Sequence, residues 1–265
     1  MSDYNDPVRE GGPAVADETL SPALDPRVYH MLAWDIETCP LPDSRLTPAK
    51  RERVEKLVTR ARKDGDARDD ADLRSYVMAT HPLLNWICCV SMAKVLHPSR
   101  VKKLREEGRI VAEDEDGRVI ATQSYSAESL TEEITLLNRL WSHIGKQSEH
   151  TWWVTFNGKG FDCPTLLART MARGFTPPRS GILDTHRWRH DRHLDLMHVI
   201  PGRSAYGLAD LCEHVGLSSP KEGEVKADGV AHAVAEGRIA QVVEYCEKDT
   251  CQTLRAALRC LPFID

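Results

Sequence analysis

The stretch His30-Met-Leu-Ala-Trp-Asp35-Ile-Glu37-Thr38 decides how this chain is read. Strand side chains alternate between faces, so Asp35 and Glu37 share one face. The apolar flanks place the strand inside the protein, where like charges repel more strongly than in water. A divalent cation with oxygen ligands relieves that repulsion. An acid-x-acid pair alone is common at exposed strand ends. It gains weight when further carboxylates converge from elsewhere in the chain.

Composition sets the class. The chain has 265 residues, 41% hydrophobic and 28% charged, the profile of one soluble globular domain with extensions. No apolar run approaches membrane-spanning length, and the first 29 residues lack the features of a signal peptide. The eight cysteines form no Cys-x-x-Cys pair and sit mostly in apolar stretches. They read as reduced core residues of a cytoplasmic protein, neither zinc ligands nor disulfides. The formal charge of -5 speaks against a general nucleic-acid coat and leaves room for a local basic patch.

Residues 1–27 are rich in Asp, Glu, Pro, Gly and Ala and read as a disordered tail. The remainder, 28–265, reads as one domain with a charged helical insertion at about 45–80. Thr47-Pro48 opens a helix running to about Lys63, closed by Gly65. A short helix follows over 69–79. Strands are expected over 28–38, 86–93, 118–123 and 151–156, with a turn at 114–117. Helices are expected over 130–144, 163–173, 204–215 and 232–260. This order predicts an α/β fold, a mixed β-sheet flanked by helices.

Two more carboxylate positions stand out. Phe156-Asn157-Gly-Lys-Gly-Phe161-Asp162 lies where a strand ends and a helix begins, a common address for sites in α/β folds. Gly158 and Gly160 permit a tight turn. Asp162 also reads simply as a helix cap. Tyr245 and Asp249, four apart on the last helix, share a face at the edge of its apolar stripe. A carboxylate there needs a partner, whether a salt bridge or a metal.

Strand Asp35-x-Glu37, then Asn157-x3-Phe161-Asp162, then Tyr245-x3-Asp249 resembles the three motifs of the DEDD superfamily of 3′-5′ exonucleases, tyrosine subtype. The order and wide spacing match from about residue 30 to 260. Within it, the chain looks most like the predicted exonucleases related to the proofreading domain of B-family DNA polymerases. The supporting segments are Trp34 to Thr38, His81-Pro82, Arg192 to Met197 and Gly237 to Ala240. The resemblance implies a ribonuclease H-like exonuclease fold and a two-metal hydrolysis using Mg²⁺ or Mn²⁺. Asp35, Glu37 and Asp249 match the ligands of one ion. Asp35 and Asp162 match those of the second. Tyr245 matches the residue that orients the attacking water. Thr38 lies where the family holds the terminal sugar. Asn157 either holds the turn or contacts the terminal nucleotide beside Phe161. Asp195 fits a hydrogen-bonding role.

The densest basic and aromatic cluster, Arg187, Trp188, Arg189 and Arg192, suits phosphates and a stacked base. The basic helix at 48–63 reads as a second candidate or as a solvated surface. The implied substrate is single-stranded or frayed DNA, cut from the 3′ end to nucleoside 5′-monophosphates. Replication or repair proteins are the implied partners. The same chemistry on RNA or short oligonucleotides is the near alternative. An inactive nuclease fold that only binds nucleic acid is the other.

Overall fold

The computed structural model describes residues 25–109, 113–200, 206–218 and 225–264. Most of the expected tail, and Ser204 at the start of one expected helix, lie outside them. Five strands, β1 (Met31–Pro40), β2 (Asn85–Val95), β3 (Ile120–Ser126), β4 (Trp152–Thr155) and β5 (His193–Asp195), form one mixed sheet. Their order is β3-β2-β1-β4-β5. β2 runs antiparallel to both β1 and β3, while β1, β4 and β5 are parallel. The α-helices of the described residues are α1 (Pro48–Lys63), α2 (Asp70–Ala79), α3 (Pro98–Glu106), α4 (Glu133–Ile144), α5 (Asp162–Ala172), α6 (Leu208–His214), α7 (Val230–Ala235) and α8 (Ile239–Cys260).

The alternation along β1 divides the core into two layers. Leu32, Trp34 and Ile36 pack with Leu137, Leu140 and Trp141 of α4 and Leu166 of α5. Met31 and Ala33 pack on the opposite face with Leu211 of α6 and with Leu254 and Ala257 of α8. Asp35 and Glu37 continue this second series, so the period of two aims them at the helix face occupied by α8.

Several expected boundaries move, for local reasons. The single helix expected over 232–260 is two, because Gly237 adopts φ +73° between α7 and α8. β3 starts two residues later than expected, because the Asp114 turn holds Arg118: the Arg118 N–H donates to Asp114 Oδ1 at 2.8 Å. α4 starts at Glu133, since the Ser129 carbonyl accepts from the N–H groups of Glu132 and Glu133 in a preceding turn. Helix α3 is unanticipated: it buries only Val101 and Leu104, too little apolar pattern to register. Seven of the eight free cysteines are buried and Cys251 is half-buried. Among the described residues, no helix is long and apolar enough to cross a membrane.

Candidate active site

The site forms where β1 outruns its parallel neighbour. β4 pairs only with Met31, Leu32 and Ala33, while β1 continues to Pro40. Beyond β4, the Ile36 N–H donates to Asp162 Oδ1 at 3.1 Å. Asp162 opens α5 and is buried. Its carboxylate therefore reaches across to β1 and is more than a local cap. Burial pushes its pKa up to about 7, against the Ile36 hydrogen bond, which favours the charged form. A bulge sits alongside. Glu37 faces Cys89 but Thr38 faces Ile87, leaving Cys88 as the extra residue on β2. Such irregularities re-aim side chains beside functional sites.

α8 closes the site from above. Cys246 Sγ lies 3.7 Å from the Asp35 carbonyl oxygen and 3.8 Å from Asp35 Oδ2. Ligand atoms of Asp35, Glu37 and Cys246 all lie within 4.8 Å of one another. Asp35 and Glu37 keep partial access to solvent. Even so, loss of water raises both carboxyl pKa values well above the usual range. The charges of Asp162 and Asp249 add to the rise at Asp35; those of Asp35 and Asp249 add to it at Glu37. The Tyr245 hydroxyl hydrogen-bonds Asp249, and burial beside Glu37 and Asp249 raises its pKa further. Asp35, Glu37, Asp162, Tyr245 and Asp249 are thus brought together from β1, the start of α5 and α8. Cys246 was missed because it lies on the apolar stripe of α8 and reads as core. Its place between Tyr245 and Asp249 was the available signal.

The Asn157 turn is held from below. The N–H groups of Asn157 and Lys159 donate to the Asp195 carboxylate at 2.7 and 2.8 Å, and Met197 adds a third donor at 3.1 Å. Asp195 is a structural anchor for the turn that delivers Asp162. Asn157, at φ +61°, is the left-handed residue of the turn. Gly158 and Gly160 do not supply that conformation. They are required by packing: a Cβ at Gly158 would meet the Thr155 side chain at 2.4 Å, and one at Gly160 would meet Asn157 Oδ1 at 2.6 Å.

The expected substrate contacts fare unevenly. Thr38 is buried, and its hydroxyl donates to the Ala79 carbonyl at 2.8 Å, tying β1 to the end of α2. Phe161 packs against the core at the mouth of α5. Arg187 and Trp188 are exposed, with the Trp188 ring tilted against His198. Arg189 is engaged by Asp184 and Asp191, and Arg192 donates to the Glu149 carbonyl. Arg189 and Arg192 line, with Arg179, a cavity of about 570 Å³ whose walls include none of the clustered carboxylates. The basic cluster is therefore split between two surfaces. It remains linked to the site through Lys159, whose ammonium donates to the carbonyls of His186 and Arg189.

A family model described as predicted 3′-5′ exonucleases related to the exonuclease domain of PolB matches residues 103–263. The chain belongs to this family. The matched span holds Asp162, Tyr245 and Asp249; Asp35 and Glu37, on β1, precede it. Among solved structures, the family B DNA polymerase of the hyperthermophilic archaeon Pyrobaculum calidifontis is similar, with a TM-score of 0.52 and 17% identity. The likeness covers 88% of this chain and 24% of that one, so the chain spans about a quarter of the polymerase. At this identity the likeness speaks for the fold. No curated protein matches in sequence.

Proposed function

We propose that residues 28–265 form a metal-dependent 3′-5′ exonuclease domain acting on single-stranded or frayed DNA. The observation that carries this reading is the convergence of four carboxylates at one end of β1, where burial first and then the charges of neighbouring acids raise the Asp35 and Glu37 pKa values. An all-oxygen set of this kind fits hard divalent cations such as Mg²⁺ or Mn²⁺. Asp35, Glu37 and Asp249 would hold one ion, and Asp35 with Asp162 the other. When bound, the pair supplies an activated water and compensates charge on the leaving oxygen.

The chain's own residues do the rest. Asp162 is fixed to the β1 backbone through the Ile36 N–H, which would hold its carboxylate beside Asp35 for ion binding. Tyr245 stays protonated at neutral pH, since its pKa is raised above an already high value. Its hydroxyl donates to Asp249, and the lone pairs left on its oxygen would accept from the attacking water and orient it. The Asn157 turn and Phe161 border the place of the terminal nucleotide. Arg187 and Trp188 offer an exposed charge and an exposed ring to the strand behind it.

The test is hydrolysis of 5′-labelled single strands of matched DNA and RNA sequence with Mg²⁺, Mn²⁺ or EDTA. The expected result is a ladder shortening from the 3′ end, faster on DNA, abolished by EDTA, and slower on blunt duplex ends. Shortening from the 5′ end, or no hydrolysis with either ion, contradicts the proposal. Faster hydrolysis of RNA keeps the chemistry and reverses the substrate.

A further inference from the structure

Lys159 is a buried cation in the turn that delivers Asp162. Its ammonium meets no carboxylate. It donates to two backbone carbonyls, those of His186 at 2.8 Å and Arg189 at 2.5 Å. Taking a charge out of water to bond neutral carbonyls is costly. What the fold gains depends on which carbonyls they are.

The two carbonyls bracket a single tight turn. The Arg189 N–H donates to the His186 carbonyl at 3.2 Å, so Arg187 and Trp188 are its two central residues. Both are exposed, Trp188 at 68%. Asp184 braces the turn, accepting from the His186 N–H at 3.0 Å and from Arg189 at 3.0 and 2.8 Å. The Trp188 ring stands 5.7 Å from that of His198, just beyond β5. β4 and β5 are parallel and end in register at Thr155 and Asp195. The Arg187-Trp188 tip therefore lies at the end of the sheet where β4 gives way to Asn157 and Asp162.

The backbone of Lys159 is fixed as well. Its N–H and that of Asn157 share the Asp195 carboxylate. The Phe161 N–H donates to the Asn157 carbonyl and the Cys163 N–H to that of Gly158, which carries the turn into α5 and Asp162. One side chain thus joins an exposed charge and ring to a carboxylate of the buried cluster.

Resting on the nuclease reading, we propose that Lys159 is a positioning residue that makes the grip on a strand at Arg187 and Trp188 and the placement of Asp162 one event. Binding energy from nucleotides remote from the reacting bond is then spent on orientation at the reacting centre. A strand long enough to reach the tip raises kcat as well as lowering KM.

The test measures kcat and KM with Mn²⁺ on a dinucleotide and on single strands of about ten nucleotides, the scale of a single-strand site. In the unaltered chain kcat should be higher on the longer strand. In Lys159→Met that advantage should vanish, with kcat on the longer strand down by about 10- to 100-fold, the scale of a small misplacement of a reacting group. Trp188→Ala is a change at an exposed position that leaves Lys159 in place. It should lower kcat on the longer strand and raise KM, and it should lower kcat no further in the Lys159→Met background. A kcat independent of length in the unaltered chain, or a Trp188→Ala effect on KM alone, overturns the proposal, whether or not Lys159→Met folds. Amide exchange of the metal-free chain reads the link without substrate. Lys159→Met should speed exchange across both 157–161 and 186–189; faster exchange in one segment alone, or in neither, overturns the link. Absence of hydrolysis at every length in the unaltered chain would count against the nuclease reading, while the exchange still decides whether Lys159 joins the two segments.

Discussion

Glu133 and the carboxylate cluster at the end of β1 are finished differently. Glu133 on α4 is fully buried, and its carboxylate accepts from the Ile87 N–H at 2.8 Å, from Arg169 at 2.8 and 2.6 Å and from Arg173 at 2.7 Å. The second centre also takes a backbone N–H from a strand, Ile36, but gathers Asp35, Glu37, Asp162 and Asp249 around it. In the first, two guanidiniums balance one carboxylate, and the group is a completed strut between the sheet and two helices. In the second, the groups acting most strongly on Asp35 and Glu37 are themselves acids. Burying such charges without a counter-ion is costly, and on the reading proposed above cations from solution supply the balance. On the proposed function, the comparison separates an acid kept for structure from acids kept for chemistry.

The comparison breaks most readily at Asp35. Asp35→Asn should lower hydrolysis of single strands by at least about 10³-fold, the scale of losing a central electrostatic group. The melting temperature in EDTA should hold or rise, because a repelling charge is gone. An unstable variant would mean that Asp35 is structural after all. Glu133→Gln should do the reverse. Removing one partner of a buried ion pair costs about 3–5 kcal/mol, measured as a lower urea midpoint, because the arginines stay buried. A midpoint shift under about 1 kcal/mol would show that the strut is not what holds α4 to α5.

Tyr245→Phe keeps the ring and removes the hydroxyl. Turnover should drop by roughly 10- to 1000-fold with little change in metal affinity. Unchanged turnover would reduce Tyr245 to a packing residue beside Asp249. The smallest effect is a pH slope in EDTA. The Asp162 pKa is about 7 when folded against 3.8 for the free group. Between these values the folded chain holds a proton that the unfolded chain has lost. That contribution to stability is complete below about pH 4 and is lost as pH rises to about 7. In Asp162→Asn the slope over this window should flatten, and an unaltered slope would place the proton elsewhere.

Much of this was legible in the residues, for identifiable reasons. The β1 segment combines period-two alternation with apolar flanks, so both its burial and the shared face of Asp35 and Glu37 follow. The α1 boundaries follow from Thr47, whose side chain caps the helix by accepting from the Lys50 N–H, and from Pro48. The break between α7 and α8 did not show, because apolar periodicity continues on both sides of Gly237 while its left-handed backbone does not. Cys246 was hidden because a thiol that touches Asp35 and one that only packs look alike in a stripe of apolar residues. The divided fate of Arg187 to Arg192 depends on where a loop folds back, through Lys159 and Asp184, and no local pattern encodes that.

The most direct measurement of the central claim is a calorimetric titration of the metal-free chain with Mn²⁺, paired with melting curves at each concentration. The cluster should bind manganese and the melting temperature should rise with its concentration, as ligand binding to the native state requires. In Asp35→Asn both the binding and the rise should be lost, while Glu133→Gln, where it folds, should keep both. A native chain that binds no manganese, with the same melting temperature in manganese and in EDTA, would contradict the account.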